Sequence, residues 1–238
     1  MKMEKWKKIL AGVAVCSMAA GVASAATSWR GTGATANWTV GPWSSGVPLA
    51  DTKTQFSTSY PTECIVDSSV VAGQLVMGDG GDPAQTVTVR IVSGGTLTSG
   101  VLDTDDWSAV SYNRPAHCIV EAGGTFNTLA RLGVGLVSEG DGLLEVYGDV
   151  DVTGTFQVAD GGGRKGRVKV YDGGTVSATS LAMAGDDGQI DLWQGATLTL
   201  EGDRTNAVAG FIADGKILGN RMVSNLTNEI EIDAGVTN

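Results

Sequence analysis

Residues 167–200 read RVKVYDGGTVSATSLAMAGDDGQIDLWQGATLTL and contain one phrase twice, at residues 168–176 and 190–198. The phrase is an alternating strand, a turn that contains glycine, and a second short strand. Further copies occupy residues 89–97 and 118–126, with a looser copy at 144–152 and a faint one that begins at Cys64. One such unit cannot bury its own apolar face, so the repetition indicates that successive units stack on one another.

The residue before each turn recurs every 22 to 28 positions along the chain. In chain order these residues are Val66, Val92, Val120, Tyr147, Tyr171 and Trp193. Strands with a period of two residues, broken by glycine at this spacing, are typical of a β-solenoid, in which each coil pairs with the next. We therefore predict an all-β fold, a right-handed parallel β-helix (solenoid) of about seven or eight coils, with an N-terminal cap and a short C-terminal helix.

The first 25 residues have the pattern of a signal peptide. Four lysines precede an apolar stretch at residues 9–20, and Ala23-Ser24-Ala25 supplies an A-x-A cleavage site. No later run approaches the ~18 consecutive apolar residues of a membrane-spanning helix. We therefore predict a protein that is secreted and extracellular or at the cell surface, without membrane insertion once residues 1–25 are removed.

The net charge of the chain is −10 at pH 7. The first 25 residues contribute +3, and subtracting this from −10 leaves a net charge of −13 on the rest of the chain. Nucleic acids and anionic membrane surfaces attract proteins that present clusters of lysine and arginine. The acidic balance therefore argues against both as partners, and we expect no nucleic-acid binding.

The two ends of the repeat region are predicted to be capped. Residues 26–60 do not follow the repeat and carry Trp29, Trp38 and Trp43, which form either a sugar-binding cluster or a cap over the first coil. We favour the cap, because an uncovered strand edge invites aggregation. The β-helix repeats are then assigned to residues 61–202.

A helix signal follows the repeats, and residues 203–238 are predicted to be a C-terminal helix cap and tail. Asp203 can cap the start of the helix and Gly215 can end it. Between them, three apolar residues share one face: Val208, Phe211 and Ile212. A short helix at this position would cover the edge of the last coil.

The N-terminal segment also carries the pattern W-x-G-x-G…N-W…W…G-V-P-x-A-D…F. Its residues are Trp29, Gly31, Gly33, Asn37, Trp38, Trp43, Gly46, Val47, Pro48, Ala50, Asp51 and Phe56. Followed by glycine-rich β repeats, this pattern resembles the N-terminal region of bacterial exported β-helical proteins with autotransporter-associated β-strand or PEP-CTERM-type repeats. Residues 198–217 are similar to the end of such repeat domains. The resemblance implies an extracellular or surface-associated β-helical protein.

Cys64 and Cys118 remain after the leader, in a compartment where disulfides form. Both lie two residues before the pre-turn position, and we expect Arg90 between them in the same column. Their Cα atoms would then lie two coils apart, roughly 10 Å at strand spacing. A disulfide needs Cα atoms ~4.4–6.8 Å apart, so free thiols are favoured and a bridge stays the alternative.

Residues able to support catalysis are few. His117, the single histidine, is expected at an inward-facing position beside Cys118, where a structural role is favoured. Residues 101–116 are predicted to form a protruding loop, and its acids Asp103, Asp105 and Asp106 are the candidates for sugar hydrolysis, which needs two carboxylates. We therefore expect that the protein is not an enzyme and has no resident cofactor. Stacked carboxylates in the turns could bind Ca²⁺ as an alternative, but we favour turn aspartates that are solvated and bond to the local backbone.

Two outward columns follow from the repeat, because residues at equivalent places in successive coils stack at ~4.8 Å steps. Glu145, Lys169 and Asp191 form one column of alternating charge. The other contains Tyr147, Tyr171 and Trp193 and is expected to continue through Val120, Val92 and Val66. An exposed aromatic and apolar stripe of this kind typically marks an interaction surface; alternatively, it lies over a corner that the chain itself covers.

Tyr147, Tyr171 and Trp193 are therefore the candidate binding residues, with an extracellular glycan or a second copy of the chain as partner. We predict a secreted, non-catalytic structural or adhesive surface protein that acts through the long faces of its solenoid. The alternative is an extracellular protein that binds or degrades polysaccharide.

Overall fold

The computed structural model describes residues 26–220 except for 31–34, 59–61, 83, 101–106, 138–139, 162–163 and 186. These residues form a parallel β-solenoid of about seven turns with one short helix, which confirms the predicted fold class. The right-handed sense of the coil stays a prediction. The predicted signal peptide at 1–25, the acids Asp103, Asp105 and Asp106, and residues 221–238 of the predicted C-terminal tail lie outside the described residues.

Three faces run along the solenoid. The first is a sheet of eight strands: β2 (Thr35–Asn37), β4 (Thr62–Val66), β7 (Val87–Ile91), β10 (Ala116–Val120), β13 (Asp141–Val146), β15 (Lys165–Val170), β17 (Gly188–Leu192) and β19 (Ile217–Gly219). The second contains β5 (Ser69–Val71), β8 (Thr96–Ser99), β11 (Thr125–Thr128), β14 (Asp149–Val158), β16 (Thr175–Ala182) and β18 (Thr197–Leu200). The third contains β1 (Thr27–Trp29), β3 (Lys53–Thr58), β6 (Gln74–Gly81), β9 (Trp107–Val110) and β12 (Arg131–Val134), and the C-terminal parts of β14 and β16 continue it.

The first face shows why the sequence coils in this way. Its strands alternate buried and partly exposed residues, as a sheet with one face on the core requires. Equivalent inward residues pair directly from coil to coil. One such buried column is Cys64, Val89, Cys118, Leu144, Val168 and Ile190, and the next is Val66, Ile91, Val120, Val146, Val170 and Leu192.

The corner after each first-face strand is a tight turn in four of the coils. The residue that opens the turn accepts a hydrogen bond from the backbone N–H three residues later, at 2.8–2.9 Å. The third residue is glycine with φ between 76° and 81°, the left-handed conformation that a type II turn requires. The opening residues are Val92, Glu121, Tyr171 and Trp193.

The outer column beside this corner differs from the prediction in two coils. Backbone bonds between coils place Asp67, Val92, Glu121, Tyr147, Tyr171 and Trp193 one above another, with Asp67 preceding Val92 as its counterpart one coil earlier. Val66 and Val120 do not extend the stripe, because both side chains are fully buried in the adjacent inward column. The aromatic part of the stripe is therefore preceded by acids and one valine.

The cysteine column is also shifted by one residue. Cys64 pairs with Val89, and Val89 pairs with Cys118, so the residue between the cysteines is Val89 and Arg90 belongs to the neighbouring outward column. The two cysteines lie two coils apart, and both thiols are free and buried.

The N-terminal segment forms part of the solenoid. β1 pairs in parallel with β3 and β2 with β4, so the segment predicted to be a Trp-rich cap is itself paired into the first coil. Trp29, Trp38 and Trp43 pack with Phe56 in one cluster, with ring centroids 4.8–5.9 Å apart. Trp29, Trp38 and Phe56 are buried, which favours a role in closing the core over an exposed sugar-binding cluster.

The C-terminal helix α1 spans Thr205–Ala213, and Gly215 follows it with φ 69°. Val208 is buried in the core, and Phe211 and Ile212 pack against it, as the helical spacing predicts. Residues 107–110 of the expected protruding loop are strand β9, which pairs with β6 and β12 inside the third face. Within the described ranges, no helix has the length and apolar character needed to cross a membrane.

Candidate functional site

The aromatic row consists of Tyr147, Tyr171 and Trp193, which are successive neighbours in three adjacent coils. The rings of Tyr147 and Tyr171 are parallel within 1° with centroids 4.2 Å apart. Tyr171 and Trp193 stack at 5.6 Å and 22°. Each corner fixes one ring in place, because the backbone N–H of each residue bonds to the preceding coil.

Stacking decides which parts of these rings a ligand can reach. Rings that lie parallel along the solenoid axis cover one another's faces and turn their edges outward. The row therefore presents ring edges along its length, and its ring faces are covered where neighbouring rings stack. Tyr147 at the N-terminal end of the row keeps the face that points away from Tyr171, and this side chain is 37% exposed.

An open groove of about 930 Å³ runs along the row. It is lined by Tyr147, Tyr171, Asp172, Trp193, Gln194, Gly195 and Asn220. The Asn220 side chain accepts a hydrogen bond from the Gln194 backbone N–H at 3.1 Å, which ties the C-terminal end of the groove together. Apolar ring edges flanked by carboxylate and amide groups suit a ligand that carries both C–H surface and hydroxyl groups.

Glu145 lies beneath the row in the charged outward column, in register with Lys169 and then Asp191. Its Oε1 accepts hydrogen bonds from the Tyr171 hydroxyl at 2.8 Å and from Lys169 Nζ at 3.2 Å. Burial raises the pKa of Glu145, but its bonds to Tyr171, Lys169 and His117 outweigh burial and hold the pKa below its ordinary value. The carboxylate therefore anchors the middle ring of the row.

The orientation of His117 differs from the prediction. Its neighbours Ala116 and Cys118 are buried, so alternation turns His117 outward, and its Nε2 lies 2.8 Å from Glu145 Oε2. Burial lowers the pKa of His117 in spite of the nearby carboxylate. The ring is accordingly neutral at pH 7, with the Nε2 hydrogen donated to Glu145. The predicted inward direction of His117 is therefore wrong, while its structural role stays a prediction that the bond to Glu145 favours.

A second pocket, of about 390 Å³, lies on the N-terminal side of Tyr147. Arg90 spans two coils beside it, bonding Glu63 through Nε at 2.6 Å and Glu121 through Nη1 at 3.1 Å. Sequence reasoning missed this pocket because it placed Val120 where Glu121 stands. Alignment of the copies on Gly-Gly-Thr would have given the correct residue.

The acidic turns show no metal centre in the part of the chain that the structure describes, where no group of three or more His, Cys, Asp or Glu side chains converges. Several turn aspartates bond locally instead. Asp82 accepts the backbone N–H of Ala84 at 2.9 Å, and Asp160 pairs with Arg164 at 3.6 Å. Bonds of this kind are the ordinary role of aspartate in turns.

Comparison of the chain with protein-family models, with curated protein sequences and with solved structures gives no match in any of the three.

Proposed function

We propose that the protein is a secreted, non-catalytic structural or adhesive surface protein, and that it holds an extracellular glycan in the groove along Tyr147, Tyr171 and Trp193. The observation that carries this proposal is the groove itself, in which a rigid aromatic row is flanked by Asp172, Gln194 and Asn220. Ring edges offer dispersion contact to the C–H surface of a sugar, while carboxylate and amide groups bond its hydroxyls.

The length of the row suits a chain-like ligand. Three successive coils span two strand steps, roughly 10 Å, so the groove can contact more than one sugar unit. The rings are fixed by stacking and by the bond from Tyr171 to Glu145, so little side-chain freedom is lost when a ligand binds. A preorganised row of this kind favours adhesion to a polymer.

The state of Glu145 supports binding without catalysis. A glycosidase needs a carboxylic acid whose pKa is raised, so that it can protonate the leaving oxygen. Glu145 is the carboxylate that bonds to the row, and its three donors lower its pKa. Export is proposed from the leader pattern of residues 1–25 and from the resemblance to exported bacterial β-helical repeat proteins.

Affinity electrophoresis against a panel of neutral and acidic polysaccharides tests the proposal. We expect the protein to be retarded by at least one polysaccharide, and Tyr171→Ala with Trp193→Ala to weaken that binding at least tenfold. Trp107→Ala is the matched control, because Trp107 stacks on Tyr112 at 4.9 Å outside the groove. Circular dichroism checks that each variant folds.

Two results would count against the proposal. A double variant that binds as tightly as the unmodified protein would remove the groove as the binding site. Release of new reducing ends from any polysaccharide in the panel would favour the alternative, a polysaccharide-degrading enzyme.

A further inference from the structure

The pocket beside Tyr147 combines an aromatic face, an apolar floor and charged walls. Its volume of about 390 Å³ falls within the ~300–1,000 Å³ typical of small-molecule sites. Its lining residues are Arg90, Ile119, Glu121, Ala122, Glu145 and Tyr147. Part of this lining is independent of the groove, because only Tyr147 belongs to both.

The apolar part follows from a change of residue type in the outer column. Tyr147 has a ring neighbour in Tyr171, but the equivalent residue one coil earlier is Glu121, which cannot stack on it. One ring face therefore stays open toward the pocket. Ile119 forms the floor and is only 7% exposed, although alternation turns it outward.

The polar part offers a donor and an acceptor side by side. Arg90 uses Nε and Nη1 for Glu63 and Glu121, and Glu121 receives this bond on Oε1. Within the described ranges, Arg90 Nη2 and Glu121 Oε2 make no further hydrogen bond. A guanidinium donor beside a carboxylate acceptor matches two adjacent hydroxyl groups, since each hydroxyl both donates and accepts.

Local charge distinguishes neutral from acidic sugars. The charged groups that line the pocket, together with their ion-pair partners, are three carboxylates and two cationic side chains. His117 is neutral at pH 7 because burial lowers its pKa. The charged groups are Glu63, Glu121, Glu145, Arg90 and Lys169. An added carboxylate would meet a net negative site, so a uronic acid is disfavoured.

We infer that this pocket is a subsite for one neutral pyranose ring, which stacks on the open face of Tyr147 and bonds two adjacent hydroxyls to Arg90 and Glu121. The inference rests on the proposed function, because it identifies the sugar class and the position of one unit of the bound glycan. The aromatic row then contributes its stacking face at its N-terminal end, where the glycan continues from the groove into the pocket.

Saturation-transfer difference NMR with methyl β-D-glucopyranoside, methyl β-D-galactopyranoside and methyl β-D-glucuronide tests the inference on the purified protein. We expect a signal from at least one neutral glycoside that is at least fivefold stronger than that from the glucuronide. Tyr147→Ala should reduce it at least tenfold, whereas Tyr147→Phe keeps the ring face and should retain it.

Ala122→Trp separates the subsite from the groove, because Ala122 lies in an exposed turn that lines only this pocket. It should fill the pocket and reduce the neutral-glycoside signal at least tenfold. Ser93→Trp, at the same turn position one coil earlier, is the matched control and should retain the signal.

The outcomes distinguish this inference from the proposed function. If no neutral glycoside gives a signal, or if Ala122→Trp leaves the signal unchanged, the subsite is wrong, whatever the groove variants show. If Ala122→Trp removes the signal while Tyr171→Ala with Trp193→Ala leaves polysaccharide binding unchanged, the subsite stands and the groove fails.

Discussion

Replacement of Glu145 by glutamine should destabilise the protein out of proportion to a single charge on the first face. Glu145 has 16% of its side chain exposed, and it bonds to His117 in the preceding coil and to Lys169 and Tyr171 in the following coil. Glutamine keeps the shape and one acceptor oxygen but removes the charge. Neutral His117 can adapt by exchanging its tautomer, so the loss falls mainly on the bonds from Lys169 and Tyr171.

The magnitude follows from the change in bond type. A hydrogen bond to a charged group contributes about 1.5–3 kcal/mol to stability, and a neutral one about 0.5–1.5 kcal/mol. The bond from the Tyr171 hydroxyl becomes a neutral one and loses about 1 kcal/mol. Lys169 stays charged, but its partly buried pair with residue 145 loses an ion-pair attraction of about 1 kcal/mol. Together these losses give a destabilisation of about 2 kcal/mol. For a domain of this size, that corresponds to a fall of roughly 4–8 °C in melting temperature.

Glu121→Gln is the matched control. Glu121 pairs with Arg90 at 3.1 Å and has 40% of its side chain exposed, and Arg90 keeps its bond to Glu63 when Glu121 is neutralised. An exposed pair contributes about 0–1 kcal/mol. Thermal unfolding followed by circular dichroism, at low and at high salt, should show a larger and salt-resistant shift for Glu145→Gln. Equal shifts in the two variants would refute the role of Glu145 as an anchor.

Three further predictions concern the core and its titratable groups. Phe126→Ala removes a fully buried ring and should lower the free energy of unfolding by about 3–5 kcal/mol in urea titrations, whereas a loss near zero would place the ring outside the core. Burial lowers the pKa of His117 below 6.5, so the stability that neutral His117 contributes is complete above pH 6.5 and is lost as the pH falls through the lowered pKa. His117→Gln should therefore reduce the fall in the free energy of unfolding between pH 7 and pH 5. An unchanged dependence on pH would contradict this assignment. Burial raises the pKa of the Cys118 thiol to about 12 and also raises the pKa of the Cys64 thiol. A thiol reagent should therefore label neither cysteine in the native state and both after unfolding. Rapid labelling of the native protein would show that the core is open.

The repeat was sufficient to predict the coiled architecture, because glycine turns and alternating strands recur together. Between residues 144 and 200 the coils have similar lengths, and the expected columns of Glu145 with Lys169 and of Tyr147 with Tyr171 occur in the structure. In two earlier coils the predicted column is shifted by one residue, because Val66 and Val120 are the last apolar residues of their strands and lie one position before the outer column. The turn bond begins one position later, at Glu121, so Val120 belongs to the core.

The site could be predicted only in part, because a repeat gives columns but not the reach of side chains. His117 and Glu145 lie in neighbouring coils and are offset by two positions along the strand, and a diagonal bond between them depends on rotamers. The same holds for Arg90, which reaches carboxylates in the coils on both sides. The mutual stacking of the rings likewise depends on ring orientation, which spacing alone does not define.

Cross-linking between coils tests most directly the claim that residues some two dozen apart stack in register beside the aromatic row. Asp149 and Thr175 are direct partners on the second face, with the Thr175 hydroxyl 2.6 Å from Asp149 Oδ1. Strand spacing places their Cα atoms ~4.8 Å apart, within disulfide range. Oxidation of the double variant Asp149→Cys with Thr175→Cys should therefore form a disulfide in high yield, detected by mass mapping. Asp149→Cys with Ser177→Cys, shifted by two residues, should stay reduced; a disulfide in the shifted pair and none in the matched pair would contradict the stacking.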